Sequence, residues 1–300
     1  MELNTVNFGK YFPTDEACTA YLAKQRWPSG VVCVHCGSID VYRLKRAHAY
    51  ECKDCGKQFN PRTGTPFQNS AIPMRKWFLA LHLLTSLKRG ISSVQLGKEL
   101  GVGQPTAWSM MHRLRAIMNL DTEPLEGIVA QDETFFGPRT HRRSTARYTK
   151  TVAVMGMVEV NKNQSRVRVK VTKYPDASVA LPFIRANIKL GTKVYTDGST
   201  IYSRLHREYY HRVVNHSKWQ WADGEVTTNA IESFWSHLKR GVFGTYYQVT
   251  HRYLQRYADE FAFKHNTRWL SQWQRFDEWF VGLRRPRQIQ AVEYIQLPLF

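Results

Sequence analysis

Two short cysteine pairs restrict the fold of the N-terminal part of this chain more than any other sequence feature. Cys33 is paired with Cys36, and Cys52 is paired with Cys55. The interval between the pairs falls in the range of about 15 to 20 residues that is typical of paired zinc knuckles. Each knuckle puts two thiolates on one tight turn, and a hairpin that joins two knuckles completes a tetrahedral Cys₄ shell. We therefore predict one structural Zn²⁺ in a zinc ribbon.

Two disulfides or free thiols are the alternative interpretation of these cysteines. The start of the sequence has no charged segment followed by an apolar one, so we expect no export and no oxidising compartment. The fifth cysteine, Cys18, stands apart on a predicted helix over residues 16–24. We interpret it as a packing residue.

The charge balance points to a polyanionic partner. Lys and Arg number 43 against 24 Asp and Glu, which gives a net charge of +19 and a pI of about 9.9. This excess goes beyond what solubility requires, although a merely basic soluble enzyme remains an alternative. The most apolar stretch, Trp77–Leu84, contains His82 and is far shorter than the roughly 20 residues of a spanning helix. We expect no membrane partner and a cytoplasmic protein.

After a turn-rich linker over residues 61–73, the sequence predicts three helices. Short glycine-containing turns separate them, and Gly101-Val102-Gly103 resembles the turn of a helix-turn-helix. On that hypothesis the third helix enters a DNA groove and carries Arg113 and Arg115 on its groove-facing side. A small bundle without DNA contacts is the alternative. The predicted helices span Met74–Leu87, Ser92–Leu100 and Gln104–Met118.

From Gly127 onward, apolar alternation predicts strands interspersed with helices. Three strands come first, followed by helix, strand, strand and two helices. An RNase H-like α/β fold, a mixed sheet flanked by helices, has three meandering strands followed by helix, strand, helix, strand and helix, and we predict this fold. The predicted strands span Ile128–Phe135, Lys150–Val160, Arg166–Lys173, Lys193–Thr196 and His211–Asn215, and the predicted helices span Ala177–Leu190, Thr228–Lys239 and Thr250–Lys264.

Three acidic residues on separate predicted elements form a candidate catalytic set. Asp132 and Asp197 fall near the C-terminal ends of predicted strands, where open α/β sheets commonly place their sites. Taken singly, Asp197 before Gly198 fits a turn cap, and Asp132 beside Glu133 fits a solvated loop pair. Glu232, on a predicted helix, adds a third carboxylate that can converge with them.

Helical spacing favours Glu232 as the third member over Asp223, Glu225 and Asn229. A buried stripe docks the helix on the core, and an adjacent polar stripe carries Glu232. A solvated surface glutamate is the alternative. The buried stripe is Ile231, Phe234, Trp235 and Leu238, and the polar stripe is Asn229, Glu232, Ser236 and Lys239.

Such a carboxylate set fits phosphodiester chemistry. Mg²⁺ or Mn²⁺ takes oxygen ligands and keeps several waters, so a few carboxylates suffice to hold two ions against a scissile phosphate. Lys239 and Arg240, in the same helix, are placed to hold the polyanionic substrate.

With these pieces together, the chain resembles the zinc-ribbon-bearing DDE insertion-sequence transposases of bacteria. The resemblance runs through nearly the whole chain to about Arg268. It implies metal ligation by Asp132, Asp197 and Glu232, with Asn229 as a supporting or alternative third residue. The matching pieces are the ribbon, Arg75–Phe78, Gly90–Leu96, Asp132–Thr134, Gly156–Glu159, Asp197-Gly198 with Tyr202, Thr228–Trp235 and Leu238–Gly241.

The resemblance implies an enzyme that binds the double-stranded ends of its own mobile element, cleaves them and joins the freed 3′-hydroxyls to target DNA. Two ends must be cut together, so a homodimer or larger assembly on DNA is expected, bound to the bacterial nucleoid. A catalytically silent DNA-binding regulator and an RNase H-like nuclease without strand transfer remain alternatives. The expected parts are an N-terminal helix and ribbon (1–62), a helix-turn-helix module (74–120), a catalytic domain (125–268) and a C-terminal tail (269–300).

Overall fold

The chain folds into two compact units in the computed structural model. Residues 1–120 and 270–300 form the first unit, and residues 121–269 form the second. Among the described helices, none has both the length and the apolar character that crossing a membrane requires. The structure describes residues 2–46, 48–118, 123–137, 151–160, 164–214, 228–247 and 249–284.

The first unit begins with two helices and a small antiparallel sheet. The hydroxyl of Thr14 accepts a hydrogen bond from the Ala17 N–H (3.2 Å) and so starts the second helix. Cys18 is fully buried on that helix, as its interpretation as a packing residue requires. The sheet is the hairpin of the predicted ribbon. These elements are α1 (Phe8–Tyr11), α2 (Asp15–Arg26), β1 (Val41–Arg43), β2 (Tyr50–Cys52) and β3 (Gln58–Phe59).

Three further helices follow, as predicted: α3 (Met74–Ser86), α4 (Ser93–Leu100) and α5 (Gln104–Arg115). The Ser92 hydroxyl caps α4 by accepting from the Gln95 N–H (3.1 Å). The turn between α4 and α5 folds back closely, because a Cβ on Gly97 would lie 2.9 Å from the Val102 carbonyl oxygen. Only a glycine at this position permits the tight helix-turn-helix geometry.

The segment expected as a C-terminal tail contains a helix, α9 (Gln272–Arg284), which belongs to the first unit. Phe276, Trp279 and Phe280 are fully buried on it. The Phe276 and Phe280 rings lie 5.7 and 5.6 Å from the ring of Phe78. Their spacing of three and four residues is a helical stripe that the sequence analysis left unused. The N-terminal unit is therefore completed by residues from the other end of the chain.

The second unit is built on a five-stranded mixed sheet with the order β6-β5-β4-β7-β8. The first three strands pair antiparallel, whereas β7 runs parallel to β4 and β8 runs parallel to β7. This arrangement confirms the predicted RNase H-like α/β class. The elements are β4 (Ile128–Phe136), β5 (Val152–Glu159), β6 (Val167–Thr172), α6 (Ala177–Asn187), β7 (Lys193–Thr196), β8 (Tyr210–Val213), α7 (Asn229–Gly241) and α8 (His251–Asn266).

Helix α7 docks on the centre of the sheet through a glycine. A Cβ on Gly156 of β5 would lie 2.8 Å from Cζ2 of Trp235 and 3.0 Å from Cδ1 of Ile231. Both distances are shorter than ordinary van der Waals contact, so the indole occupies the space that any side chain at this position would need. The contact brings α7 against β5 and its neighbour β4.

Helix α8 covers the edge strand β6 with two amide side chains. The Gln255 Oε1 accepts from the Val171 N–H (2.7 Å), and its Nε2 donates to the Val169 carbonyl (3.3 Å). The Asn266 Oδ1 accepts from the Val167 N–H (2.7 Å), and its Nδ2 donates to the Val167 carbonyl (3.1 Å). Because eleven residues make about three helical turns, both amides lie on the same side of α8. They satisfy backbone groups that an edge strand otherwise leaves unpaired.

We predict that Gly156→Ala destabilises the protein by about 1 to 3 kcal/mol, because the added methyl group overpacks the Trp235 site. Chemical denaturation followed by tryptophan fluorescence measures this change. Gly244→Ala is the matched control, since nothing lies within 4 Å of a Cβ at Gly244. Equal stability of the two variants would contradict the packing argument.

Candidate metal centre and carboxylate site

The four predicted zinc ligands come together in the ribbon. All four sulfur atoms lie within 4.8 Å of one another. The Sγ atoms of Cys33 and Cys55 are 3.7 Å apart, and those of Cys36 and Cys52 are 3.5 Å apart. A tetrahedral zinc with Zn–S bonds of about 2.3 Å requires sulfur separations of about 3.8 Å. The geometry therefore fits a Cys₄ zinc site and not two disulfides.

Hydrogen bonds around the Cys33 sulfur favour the thiolate form of this one ligand. The His35 N–H points at the Cys33 sulfur (3.4 Å). Burial raises the pKa of the Cys33 thiol, but hydrogen bonds from the backbone N–H groups of Cys36 and His35 and from the Cys36 and Cys52 thiols lower that pKa to about 7. Hydrogen bonds among the same thiols contribute to raising the pKa values of Cys36 and Cys55. Four thiolates leave no open coordination position, so the site serves structure and not chemistry.

In the second unit, Asp132 lies in the middle of β4 and not near its end. β4 continues to Phe136 because it pairs with β5 over this whole length, whereas its ladder with β7 stops at Ala130 and Tyr195. The Asp132 carboxylate faces α7, where the indole Nε1 of Trp235 donates to its Oδ2 (2.9 Å). Asp132 therefore lies just beyond the end of the parallel ladder.

Asp197 follows β7 directly and caps the next turn. Its Oδ1 accepts from the Ser199 N–H (3.1 Å). Asp197 is therefore a turn cap, as the alternative interpretation held, and this hydrogen bond fixes the direction of its carboxylate. The second oxygen, Oδ2, takes no part in the cap. β7 is the parallel neighbour of β4, and Asp197 and Asp132 each come two residues after the last pair of their ladder, Tyr195 and Ala130.

Helix α7 places Glu232 toward the same region. The Ile231, Phe234, Trp235 and Leu238 side chains are at most 5% exposed, so the predicted buried stripe is present. The hydroxyl of Thr228, which is fully buried just before α7, donates to the Glu232 Oε1 (2.8 Å). Asn229 is exposed at the first position of α7. The competing candidates Asp223 and Glu225 lie outside the described residues.

The Asp132 carboxyl is within electrostatic reach of both Asp197 and Glu232. Burial raises the pKa of Asp132, the Trp235 hydrogen bond lowers it, and the charges of Asp197 and Glu232 raise it again. In the described part of the chain, the four cysteines form the group whose ligand atoms lie close enough together to hold a metal ion, and the three carboxylates are not drawn together in that way. A divalent cation held by Asp132, Asp197 and Glu232 would therefore need water or phosphate oxygens to complete its shell, as is common for Mg²⁺.

The basic residues predicted to contact DNA fall into two groups. Lys239 is half-buried and Arg240 is exposed in the last turn of α7, in the same helix as Glu232. The Arg240 Nε donates to the Ser236 carbonyl (3.1 Å). Both therefore remain candidates for phosphate contacts.

Arg113 and Arg115 do not face outward on α5, contrary to our expectation. Arg115 is 1% exposed. The Arg113 guanidinium donates to the Gln68 carbonyl (2.6 Å) and lies 5.3 Å above the Trp77 ring. Arg115 is therefore buried within the first unit, and the half-buried Arg113 is held against a carbonyl and an aromatic face from other segments of that unit. Exposed positions on α5 occur at its N-terminal end, at Gln104 and Pro105.

Sequence reasoning missed the residues that hold the carboxylates. The sequence analysis gives Trp235 and Thr228 no role at the site. In the structure, Trp235 donates a hydrogen bond to Asp132, and Thr228 donates one to Glu232. Glu133 was read only as a neighbour of Asp132, yet its Oε2 accepts from the Tyr202 hydroxyl at 2.5 Å. Strand alternation was the available signal, because it sends adjacent side chains to opposite faces of the sheet.

Comparison with known proteins finds two matching domains and one similar protein. A family model described as the ISXO2-like transposase domain matches residues 124–266, and one described as the transposase zinc-ribbon domain matches residues 13–58. Together they take in more than half of the chain. An uncharacterised protein in transposable element ISH50 of Halobacterium salinarum is 28% identical over 249 residues, which are 77% of this chain and 84% of that protein.

A solved chain from a simian T-cell lymphotropic virus intasome, in complex with the PP2A regulatory subunit B56 gamma, is also similar. It is 13% identical, with a TM-score of 0.29, over 59% of this chain and 66% of that chain. This likeness is too low to support an argument about the fold. The two domain matches and the ISH50 relative agree with each other, and on their basis the chain belongs to the insertion-sequence transposase family that carries an N-terminal zinc ribbon.

Proposed function

We propose that this transposase cleaves the DNA ends of its mobile element and transfers the freed 3′-hydroxyls to target DNA with a divalent-metal carboxylate site. The observation that carries the proposal is that α7, the helix of Glu232, docks on Asp132 through Trp235, while Asp197 directly follows the strand that is parallel to β4. Each carboxylate accepts a hydrogen bond that fixes its direction, from Trp235, Ser199 and Thr228 respectively. Held carboxylates of this kind are what pre-organised catalysis requires.

Asp132, Asp197 and Glu232 are the residues that would hold Mg²⁺ or Mn²⁺, with Asn229 as a supporting residue one turn before Glu232. When bound, two such ions activate the attacking water or 3′-hydroxyl and stabilise the leaving oxygen. The residues themselves orient the ligand oxygens and hold the substrate. The Trp235 indole leaves one oxygen of Asp132 outside its hydrogen bond, and the Lys239 and Arg240 side chains would contact phosphates near the site.

The proposed substrate is double-stranded DNA, which agrees with the net charge of +19. We infer that the first unit selects the element ends through its ribbon and helix-turn-helix. The DNA contacts of α5 are assigned to its exposed N-terminal turn, where recognition helices meet base edges. Cutting two ends together calls for at least two copies of the chain on DNA.

Two other functions remain distinguishable by experiment. A silent DNA-binding regulator would bind the ends without cutting them. A plain nuclease would cut DNA but fail to join pre-cut ends to a target. A strand-transfer assay with pre-cut ends separates the proposed transposase from both, because only the transposase yields joined products.

We predict that Asp132→Asn and Glu232→Gln each abolish cleavage while DNA binding persists, because both variants keep side-chain size and lose a charge that binds the metal. Cleavage of end-containing DNA with Mg²⁺ or Mn²⁺ is the measurement. Ser233→Ala, an exposed change next to Glu232, is the control. Near-normal cleavage by Glu232→Gln, together with its loss in Asn229→Ala, would assign the third ligand to Asn229.

The same Asp132→Asn variant, zinc-loaded like the wild type, should melt at a higher temperature than the wild type at neutral pH in a chelator-free buffer without Mg²⁺ or Mn²⁺. The folded-state pKa of Asp132 is raised, so the contribution of this group to stability falls as pH rises from its ordinary pKa through the raised one. Asparagine removes that cost and keeps an acceptor for Trp235. An unchanged or lower melting temperature would contradict the electrostatic account.

We predict one tightly held Zn²⁺ per chain, lost when Cys52 and Cys55 are both replaced by serine. Structural zinc contributes on the order of 10 kcal/mol to the folding of such a module, so its loss should unfold the ribbon. Metal analysis of the purified protein gives the stoichiometry. Cys18→Ala is the control that should keep the metal. Zinc that survives the double replacement would refute the Cys₄ assignment.

We predict that selective binding of element ends is lost in a fragment of residues 121–269. This fragment omits α9 as well as residues 1–120, because the structure assigns both to the first unit. Binding of the full chain should weaken steeply with salt. Titration of labelled end and random DNA with both proteins is the measurement, and thermal melting checks that the fragment is folded. Equal selectivity in the fragment would move end recognition to the second unit.

A further inference from the structure

A hydrogen bond on the face of the sheet opposite α7 connects the segments that carry Asp132 and Asp197. Glu133 follows Asp132 in β4 and therefore points to the other face. There its Oε2 accepts from the hydroxyl of Tyr202 at 2.5 Å. Tyr202 is fully buried and ends a 3₁₀ turn, Thr200–Tyr202, that starts shortly after Asp197.

A second β4 residue fixes the phenol. The Gln131 Nε2 donates to the Tyr202 hydroxyl oxygen (3.2 Å), and Gln131 is fully buried. Gln131 and Glu133 alternate along β4, so both reach Tyr202 from the same face. The hydroxyl thus accepts from one side chain and donates to the other, which fixes its position along the strand.

The connection lies where the backbone no longer joins the two strands. The parallel ladder of β4 and β7 ends at Ala130 and Tyr195, before either Asp132 or Asp197 is reached. Past that point, the Tyr202 hydroxyl ties the turn after β7 back to β4. Burying much of the Glu133 carboxylate costs free energy, and the Tyr202 hydrogen bond offsets part of that cost.

We propose that Glu133 and Tyr202 are a positioning pair that sets the separation of Asp132 and Asp197 for a divalent cation. The inference rests on the proposed function, in which those two aspartates bind Mg²⁺ or Mn²⁺. Glu133 acts as a hydrogen-bond acceptor and not as a ligand, because it faces away from Asp132 and its bonded oxygen is engaged by Tyr202. Residues that orient metal ligands in this way commonly contribute about 10- to 100-fold to metal affinity.

Direct Mn²⁺ binding to the zinc-loaded full chain tests the pair, measured as loss of the free Mn²⁺ signal in electron paramagnetic resonance. Tyr202→Phe should weaken binding about 10-fold or more. Glu133→Leu should match it, whereas Glu133→Gln should stay close to wild type because its amide oxygen still accepts from Tyr202. Asp132→Asn gives the background from other sites.

Tyr209→Phe is the matched control. Tyr209 is buried in the same hydrophobic cluster as Tyr202, and its hydroxyl lies 3.4 Å from the Ile188 carbonyl, so this change removes a buried hydroxyl without touching the pair. It should leave Mn²⁺ affinity unchanged. DNA cleavage measured in parallel distinguishes this proposal from the proposed function. Suppose that the wild type binds Mn²⁺ and that Tyr202→Phe weakens binding, but that the wild type does not cut DNA. The proposed function then fails, whereas the positioning pair stands.

Two results would overturn the pair. One is Mn²⁺ affinity in Tyr202→Phe equal to that of wild type. The other is a loss in Glu133→Gln as complete as in Asp132→Asn, which would make Glu133 a ligand itself. Thermal melting identifies any variant that does not fold. If Tyr202→Phe is such a variant, the difference between Glu133→Gln and Glu133→Leu decides the question, and equal affinities in that comparison refute the pair.

Discussion

The contact between Trp235 and Gly156 is the interaction on which the second unit depends. It is a packing contact and an electrostatic one at once, because the indole that occupies the space above Gly156 also donates to Asp132. Docking the indole fixes the rotation of α7 about its axis, and that rotation decides where Glu232 lies. A larger residue at Gly156 would therefore disturb two carboxylates without touching either one. The proposed carboxylate site therefore depends on Gly156, which has no side chain to displace the Trp235 indole.

The site works against the stability of the protein that contains it. Burial and the neighbouring carboxylates raise the pKa values of both Asp132 and Glu133, so ionising them together costs free energy in the metal-free protein. Hydrogen bonds from Trp235 and Tyr202 offset part of that cost, and a divalent cation would offset more. Such opposition between local stability and function is common where groups are held ready for a ligand.

The sequence predicted those features that follow from local spacing. The cysteine pairs specify their own turns, and the stripe around Phe234 specifies the buried side of α7, so the ribbon, the mixed α/β class and the buried stripe of α7 were confirmed. Contacts between residues that are far apart in the sequence could not be predicted. Nothing near Arg113 in the sequence indicates that the Gln68 carbonyl will receive its guanidinium, and nothing near Glu133 indicates Tyr202. The apolar stripe of α9 could have been predicted from its helical spacing, but the sequence does not indicate which unit this helix joins.

The amide coverage of β6 also affects how the sheet opens. In most sheets the outward N–H groups of an edge strand exchange their hydrogens with water readily. Here the N–H groups of Val167 and Val171 donate to Asn266 and Gln255 on α8. Their exchange therefore has to wait until that helix lifts away from the strand. Deuterium uptake at these two positions would therefore report how often α8 undocks from β6. A neighbouring chain could extend the sheet from this edge only after the same undocking.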